Sequence, residues 1–326
     1  MITSSDIFTS SSQKQFEKIV LKVFRYQYEN NKVYQEFCDF LKTDPHKVKS
    51  LQQIPFLPIQ FFKSHEVVSN SNPIQETFTS SGTTGMITSK HLVTDVTLYE
   101  ESYRKGFSEF YGNIEDYVIL ALLPSYLERE GSSLIYMVKD LIELSNRPES
   151  GFYLHNHDEL ISKLIALDRA GQNIILIGVT FALLDLIEKH QFQLQHTIIM
   201  ETGGMKGRRK EMIREELHEQ LCKGFGVSAI HSEYGMTELL SQAYSLGNGV
   251  FECPSWIQIL VRDTEDALTY IPDGKTGGIN VIDLANVNSC SFIATQDLGK
   301  KNLNNSFEVL GRFDNSDIRG CNLMVI

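Results

Sequence analysis

Seven consecutive residues, Thr79-Ser80-Ser81-Gly82-Thr83-Thr84-Gly85, carry five hydroxyls and two glycines. Glycine lets backbone N–H groups turn toward an anion and the hydroxyls add donors, so the chemistry indicated is phosphate binding. The pattern is not the P-loop G-x-x-x-x-G-K-[ST], because Gly82 and Gly85 are three apart and Met86 follows. On composition alone a flexible linker stays open beside it. A second stretch, Glu201-Thr-Gly203-Gly204-Met-Lys-Gly207, follows an apolar run ending at Met200. Glycines at the carboxyl end of a strand let a ligand approach the backbone, although an ordinary turn has the same composition. The third stretch is Ser232-Glu-Tyr234-Gly235-Met236-Thr237-Glu238. A purine could stack on Tyr234, a phosphate could bond Thr237, and Glu238 could hold Mg2+. A capped turn with Thr237 opening a helix is the alternative. His155-Asn-His157 has metal-binding spacing but no third ligand near it, and no G-x-S-x-G nucleophile elbow occurs.

These stretches need strands and helices to hold them. Apolar runs at 117–123, 174–178, 197–200 and 226–231 predict buried strands. Helices are expected between them at Val96–Phe110, Leu134–Leu144, Thr180–His190 and Arg209–Lys223. That alternation predicts parallel β-α-β units, an α/β fold. Thr77–Thr79 reads as a short strand entering the first glycine-rich stretch. Toward the N-terminus, Phe16, Ile19, Val20, Val23 and Phe24 recur at helical spacing, and a second helix is expected over Val33–Leu41. Past residue 245, Ile257–Val261, Gly278–Leu284 and Phe292–Thr295 read as short strands separated by turns. The expected organisation is a helical segment (1–53), an α/β core (54–245), and a β-rich subdomain with a C-terminal arm (246–326).

The chain has 326 residues, 42% hydrophobic and 22% charged, enough for a sizeable core without disulfides or metals. Its net charge of −11, from 41 acidic and 30 basic side chains, argues against a nucleic-acid partner and against anionic membrane surfaces. No signal peptide is visible at the start. The most apolar stretch, Ile174–Leu184, is eleven residues, short of the ~20 a spanning helix needs. Five cysteines, none in C-x-x-C spacing, predict neither a disulfide framework nor a structural zinc site. The expected compartment is the cytoplasm.

Taken in order, Thr79–Gly85, Gly203-Gly204, Tyr234–Glu238, Thr295-Gln-Asp297 and Gly311-Arg312-Phe-Asp314 resemble the motifs of the adenylate-forming ligases. That superfamily includes acyl- and aryl-CoA synthetases. Within it, Glu233–Gln242, Cys253-Pro-Ser-Trp256, Ile282-Asp-Leu-Ala-Asn286 and Arg319-Gly-Cys-Asn-Leu323 look like the acyl-protein synthetases of bacterial luminescence, the LuxE-like family. The phenylacetate-CoA ligase branch is the nearer cousin outside it. The likeness runs from about residue 54 onward.

The resemblance implies the superfamily's α/β body with a small β-rich subdomain, and it implies ATP and Mg2+. Thr79, Ser80, Ser81, Gly82, Thr83, Thr84 and Gly85 would hold the β- and γ-phosphates. Gly203 and Gly204 would pass along the adenine and acyl site. Tyr234, with Gly235 and Met236 beside it, would stack on adenine; Thr237 would bond the α-phosphate and Glu238 would hold the metal. Asp297 would take the ribose hydroxyls and Arg312 the ribose or phosphate. Cys321 matches the cysteine that accepts the acyl group. Two departures stand out. Met86-Ile-Thr-Ser-Lys90 replaces the usual Pro-Lys after the loop, and the sequence ends twelve residues after Asp314. The expectation is a chain without the C-terminal lid domain, in which Lys90, Lys206 or a partner supplies the missing cation. The implied activity is ATP-dependent activation of a fatty or other carboxylic acid, followed by transfer to a protein cysteine. An acyl-CoA-reductase-type protein is the implied recipient, and a homo-oligomer stays open. The alternatives are an acyl- or aryl-CoA ligase of the phenylacetate type and a non-catalytic nucleotide-binding scaffold.

Overall fold

Two units divide the chain, residues 1–71 with 255–326 and residues 72–254. The structure is a computed structural model and describes residues 2–9, 12–80, 88–123, 131–154, 156–203 and 212–313. Ser81–Gly85, Gly204, Lys206 and Cys321, to which roles are assigned above, lie outside the described residues, as does His155.

Residues 1–71 begin with α1 (Ser4–Phe8), capped reciprocally by Thr3 and Asp6. Helix α2 (Gln13–Asn30) buries the predicted stripe Phe16, Ile19, Val20, Val23 and Phe24. Its one buried polar residue, Gln27, donates to the Asn286 and Val287 carbonyls and accepts from the Ser291 N–H at 3.0 Å. A glutamine with every polar atom satisfied locks the helix to a distant segment without a desolvation penalty. Asn31 caps α3 (Lys32–Phe40) by accepting from the Tyr34 N–H. A short strand β1 (Leu57–Pro58) and one turn of helix α4 (Phe61–Ser64) follow.

Residues 72–254 open with a hairpin, β2 (Glu76–Thr79) and β3 (Lys90–Val93), paired antiparallel. Helix α5 (Val96–Tyr111) leads to β4 (Val118–Leu122), and α6 (Ser133–Ser145) leads to β5 (Gly151–Tyr153). Then come α7 (His157–Arg169), β6 (Ile174–Gly178), α8 (Thr180–Lys189), β7 (Thr197–Glu201), α9 (Arg214–Phe225) and β8 (His231–Tyr234). Strands β9 (Ala243–Ser245) and β10 (Val250–Phe251) end the unit. The main sheet runs β5-β4-β6-β7-β8-β9, parallel except for β9. β4 and β6 are buried at every position, which is why both read as unbroken apolar runs. The chain lays β5 on one side of β4 and β6 on the other, so the strand order reverses at β4. Open α/β sheets bind ligands beyond the carboxyl ends of strands at such a reversal.

The predicted strand at 226–231 is displaced. Gly226 ends α9 in a left-handed conformation, and the strand is His231–Tyr234 instead. The reason is its setting: β8 meets β7 only through Met200↔His231 and Glu201↔Ser232, and its other neighbour is the short β9. Polar residues can therefore occupy it, and apolarity was a poor guide there. Helix α9 begins at Arg214 rather than Arg209; Glu215 and Glu216 sit in its first turn, where they complement the helix dipole. No helix opens at Thr237, which lies in a turn closed by Leu239 N–H donating to the Met236 carbonyl.

Residues 255–326 rejoin the first unit with β11 (Ile257–Arg262), β12 (Thr276–Asp283), β13 (Phe292–Lys301) and β14 (Phe307–Arg312). They form an antiparallel run, with β1 parallel to the start of β13 and β14 paired to its second half. β13 runs beyond the predicted Thr295, and Gly311 and Arg312 form the end of β14. No described helix is long and apolar enough to cross a membrane.

Candidate active site

The β2–β3 hairpin sets the base of the glycine-rich stretch. Ser80 N–H donates to the Ser89 carbonyl at 3.1 Å, and Ser89 N–H donates to Ser80 Oγ at 2.9 Å. Thr79 N–H donates to the carbonyl of Gly131 at 2.8 Å. The hairpin thus closes at Ser80 and is tied to the start of α6, at the end of the segment leaving β4. Lys90 is exposed on β3, opposite Thr79.

At the end of β7 the buried Glu201 organises the second stretch. Its Oε2 accepts from Gly203 N–H at 2.7 Å and from Thr180 Oγ1 at 3.2 Å. Its Oε1 takes the Arg214 guanidinium at 2.7 Å, with His218 Nε2 3.6 Å away. Burial pushes the Glu201 carboxyl up, but His218, Arg214, the Ser232 hydroxyl and the Gly203 N–H outweigh it and hold it at about 2. Gly203 has φ +71°, a left-handed conformation that explains glycine at this position.

Side chains of β8 alternate between the two faces of the sheet. Ser232 and Tyr234 face Arg214 and Phe251: Ser232 Oγ is 3.5 Å from Arg214 Nη1, and the Tyr234 and Phe251 rings meet edge-on at 5.9 Å. His231 and Glu233 face the other way, where His231 Nδ1 lies 3.2 Å from Tyr111 Oη. The Glu233 carboxyl tucks beneath the turn, so that a β-carbon on Gly235 would strike it. Burial, and then the charge of Glu201, push Glu233 up to about 8, even though the residue keeps partial exposure. Beyond the strand, the carbonyl of Thr237 accepts from His91 Nδ1–H on β3 at 2.9 Å. His91 is fully buried, and burial holds it down at about 4, so it stays neutral and its Nδ1 proton stays on the bond. Glu238 follows, buried at 6% exposure. One turn therefore carries the aromatic ring, the hydroxyl and the carboxylate, and a buried histidine pins it.

Glu233 has a measurable consequence. An acid raised from 4.5 to about 8 on folding binds its proton more tightly when folded. Its contribution to stability is therefore full below about 4.5 and is lost as pH climbs toward 8. Glu233→Gln removes that titration. Thermal melts should match wild type near pH 4 and lie progressively further above it as pH rises from about 4.5 to 9, by several degrees at the top of the range. A gap that does not change with pH would contradict the assignment.

In the other unit Asp297 and Arg312 are opposite one another in the β13–β14 register. Arg312 Nε lies 3.5 Å from Asp297 Oδ1, with the arginine side chain 85% exposed and the aspartate nearly buried. Such a pair contributes little to stability and leaves the guanidinium accessible. Among the described cysteines, Cys38 and Cys290 are buried and Cys222 and Cys253 half-buried. Burial pushes the Cys38 thiol up to about 12 and raises Cys290 and Cys222 as well. His157 is the first residue of α7.

Sequence reading missed Glu201, Arg214, His218, His91 and Glu233 as site residues. The available signal was an acidic residue closing an apolar strand directly before Thr-Gly-Gly; its partners lie too far along the chain for local patterning to reveal them.

The whole chain, residues 1–326, matches the family described as acyl-protein synthetase, LuxE. It is 24% identical over 309 residues to the long-chain-fatty-acid–luciferin-component ligase of Vibrio harveyi, covering 88% of this chain and 79% of that one. A protein of the same name from Photorhabdus luminescens is 34% identical over 90 residues, 26% of this chain and 77% of its own length. Among solved structures, 2-hydroxyisobutyryl-CoA ligase in complex with an acyl-AMP superposes with a TM-score of 0.69 at 12% identity, over 95% of this chain and 70% of that one. ATP-bound MatB from Rhodopseudomonas palustris gives 0.56 at 18% identity, over 75% of this chain and about half (49%) of MatB. At those identities the structural likeness speaks to the fold, that of the adenylate-forming ligases. With its full length matched and that fold beneath it, the chain belongs to the LuxE acyl-protein synthetase family.

Proposed function

We propose that this chain activates a long-chain fatty acid with ATP and passes the acyl group to its own Cys321, from which a protein partner of the acyl-CoA-reductase type receives it. The observation that carries the reading is the pairing of two pinned turns at the carboxyl ends of adjacent parallel strands. Glu201 fixes the Gly203 turn after β7, and His91 fixes the Thr237 turn after β8. Ligands of open α/β sheets sit beyond the carboxyl ends of the strands, the side on which both turns lie.

In the first step a carboxylate oxygen of the acid attacks the α-phosphorus of ATP. The bond to the bridging oxygen breaks, pyrophosphate leaves, and an acyl-adenylate forms. Such a displacement needs in-line positioning and charge neutralisation rather than a strong base. Tyr234 supplies the adenine platform, Thr237 donates its hydroxyl proton to an α-phosphate oxygen, and Gly203 with Gly204 passes the backbone along the adenine and acyl groups. Thr79, Ser80 and the residues to Gly85 hold the outer phosphates. Asp297 accepts from the ribose hydroxyls, and Arg312 reaches the ribose or phosphate. No cluster of three metal-ligating side chains occurs among the described residues. Mg2+ in nucleotide sites is commonly held by one or two carboxylates plus phosphate oxygens, so the single buried Glu238 fits as the protein's ligand. Bound there, Mg2+ would neutralise charge on the phosphates.

In the second step the Cys321 thiolate attacks the acyl carbon, the bond to the adenylate oxygen breaks, AMP leaves and a thioester remains. The raised thiols of Cys38, Cys222 and Cys290 suit them poorly as acceptors, because the thiolate is the nucleophile.

The test is pyrophosphate exchange into ATP. Exchange that requires both fatty acid and Mg2+ is expected; none with any carboxylic acid would leave only a nucleotide-binding scaffold. Release of free acyl-CoA on addition of coenzyme A would favour the CoA-ligase reading.

A further inference from the structure

The two oxygens of Glu201 serve different ends of the same site. Oε2 holds the Gly203 N–H at 2.7 Å and thereby the glycine turn. Oε1 holds Arg214 Nη1 at 2.7 Å. From that anchor the guanidinium lies over the Phe251 ring, its carbon 5.2 Å from the centroid. Phe251 in turn meets the Tyr234 ring at 5.9 Å and 61°. Gly249 has φ +66°, and a β-carbon there would strike the Arg214 side chain, so the arginine fills the space its neighbours leave.

We propose that Glu201 and Arg214 are positioning residues for the nucleotide: one ion pair, its carboxylate buried and its guanidinium half-buried, sets both the glycine turn and, through Phe251, the angle of the Tyr234 ring. The inference rests on the function proposed above, in which Tyr234 is the adenine platform. An ion pair whose arginine is 28% exposed is weak evidence of stabilisation in itself. What this pair adds is direction. The carboxylate divides its oxygens between a backbone N–H and a planar cation, and the cation lies over the ring that abuts Tyr234. A lysine keeps the charge but not the planar, forked group that reaches both the carboxylate and the ring.

Two variants test this in pyrophosphate exchange. Arg214→Lys retains the ion pair, and Phe251→Leu retains both charges while removing the ring; if one fails to fold, the other decides. Each is expected to raise the KM for ATP and the inhibition constant for AMP by ~10-fold, the scale of one lost contact of about 1.4 kcal/mol. The KM for the fatty acid, the inhibition constant for pyrophosphate and kcat at saturating ATP should stay within about twofold of wild type. If both nucleotide constants are unchanged, or if every constant shifts together as in general destabilisation, the positioning role is overturned. Wild-type enzyme without exchange would overturn the proposed function itself and this inference with it.

Discussion

Exchange of pyrophosphate into ATP is expected to fall at least ~10²-fold in the Glu238→Gln variant, the scale of losing one preorganised electrostatic contact to a developing charge. The amide keeps the shape of the side chain and its place in the turn, so the fold should hold. What disappears is the carboxylate charge, buried at 6% exposure and directly after the Thr237 hydroxyl. Because the loss falls on the metal rather than on adenine binding, AMP should inhibit the variant about as well as wild type. Excess Mg2+ should recover part of the rate. A Glu238→Gln variant that exchanges at the wild-type rate would show that Glu238 holds no metal in the reaction.

The second large effect divides the reaction. Cys321→Ser is expected to exchange pyrophosphate at close to the wild-type rate and yet to accumulate no hydroxylamine-labile acyl adduct. A serine hydroxyl is scarcely ionised near neutral pH, whereas a thiol is partly thiolate, so the adenylate would form and wait for an acceptor. Acyl delivery to a reductase partner should vanish with the adduct. Equal labelling of another cysteine, or loss of exchange in the variant, would make Cys321 structural and bring the CoA-ligase reading forward.

The buried strands were legible because β4 and β6 carry apolar residues on both faces, and a short unbroken apolar run is what a strand covered on both sides requires. β8 was misplaced for the opposite reason. It holds the polar-tipped side chains of His231, Ser232, Glu233 and Tyr234, so hydrophobic patterning pointed to Gly226–His231 instead. The three motifs could be read because glycine, hydroxyl and carboxylate recur there within a few residues. Their supports could not. His91 reaches Thr237 from 146 positions away, and Gln27 reaches Ser291 from 264. Only the folded chain brings such pairs together, and no local periodicity records them.

Intact-mass spectrometry of the wild-type protein, incubated with ATP, Mg2+ and a series of fatty acids, tests the central claim most directly. The expected result is an ATP-dependent mass gain equal to one acyl group less water, removed by hydroxylamine and mapped by proteolysis to Cys321. No adduct with any acid in the presence of ATP, alongside free acyl-CoA when coenzyme A is supplied, would contradict it.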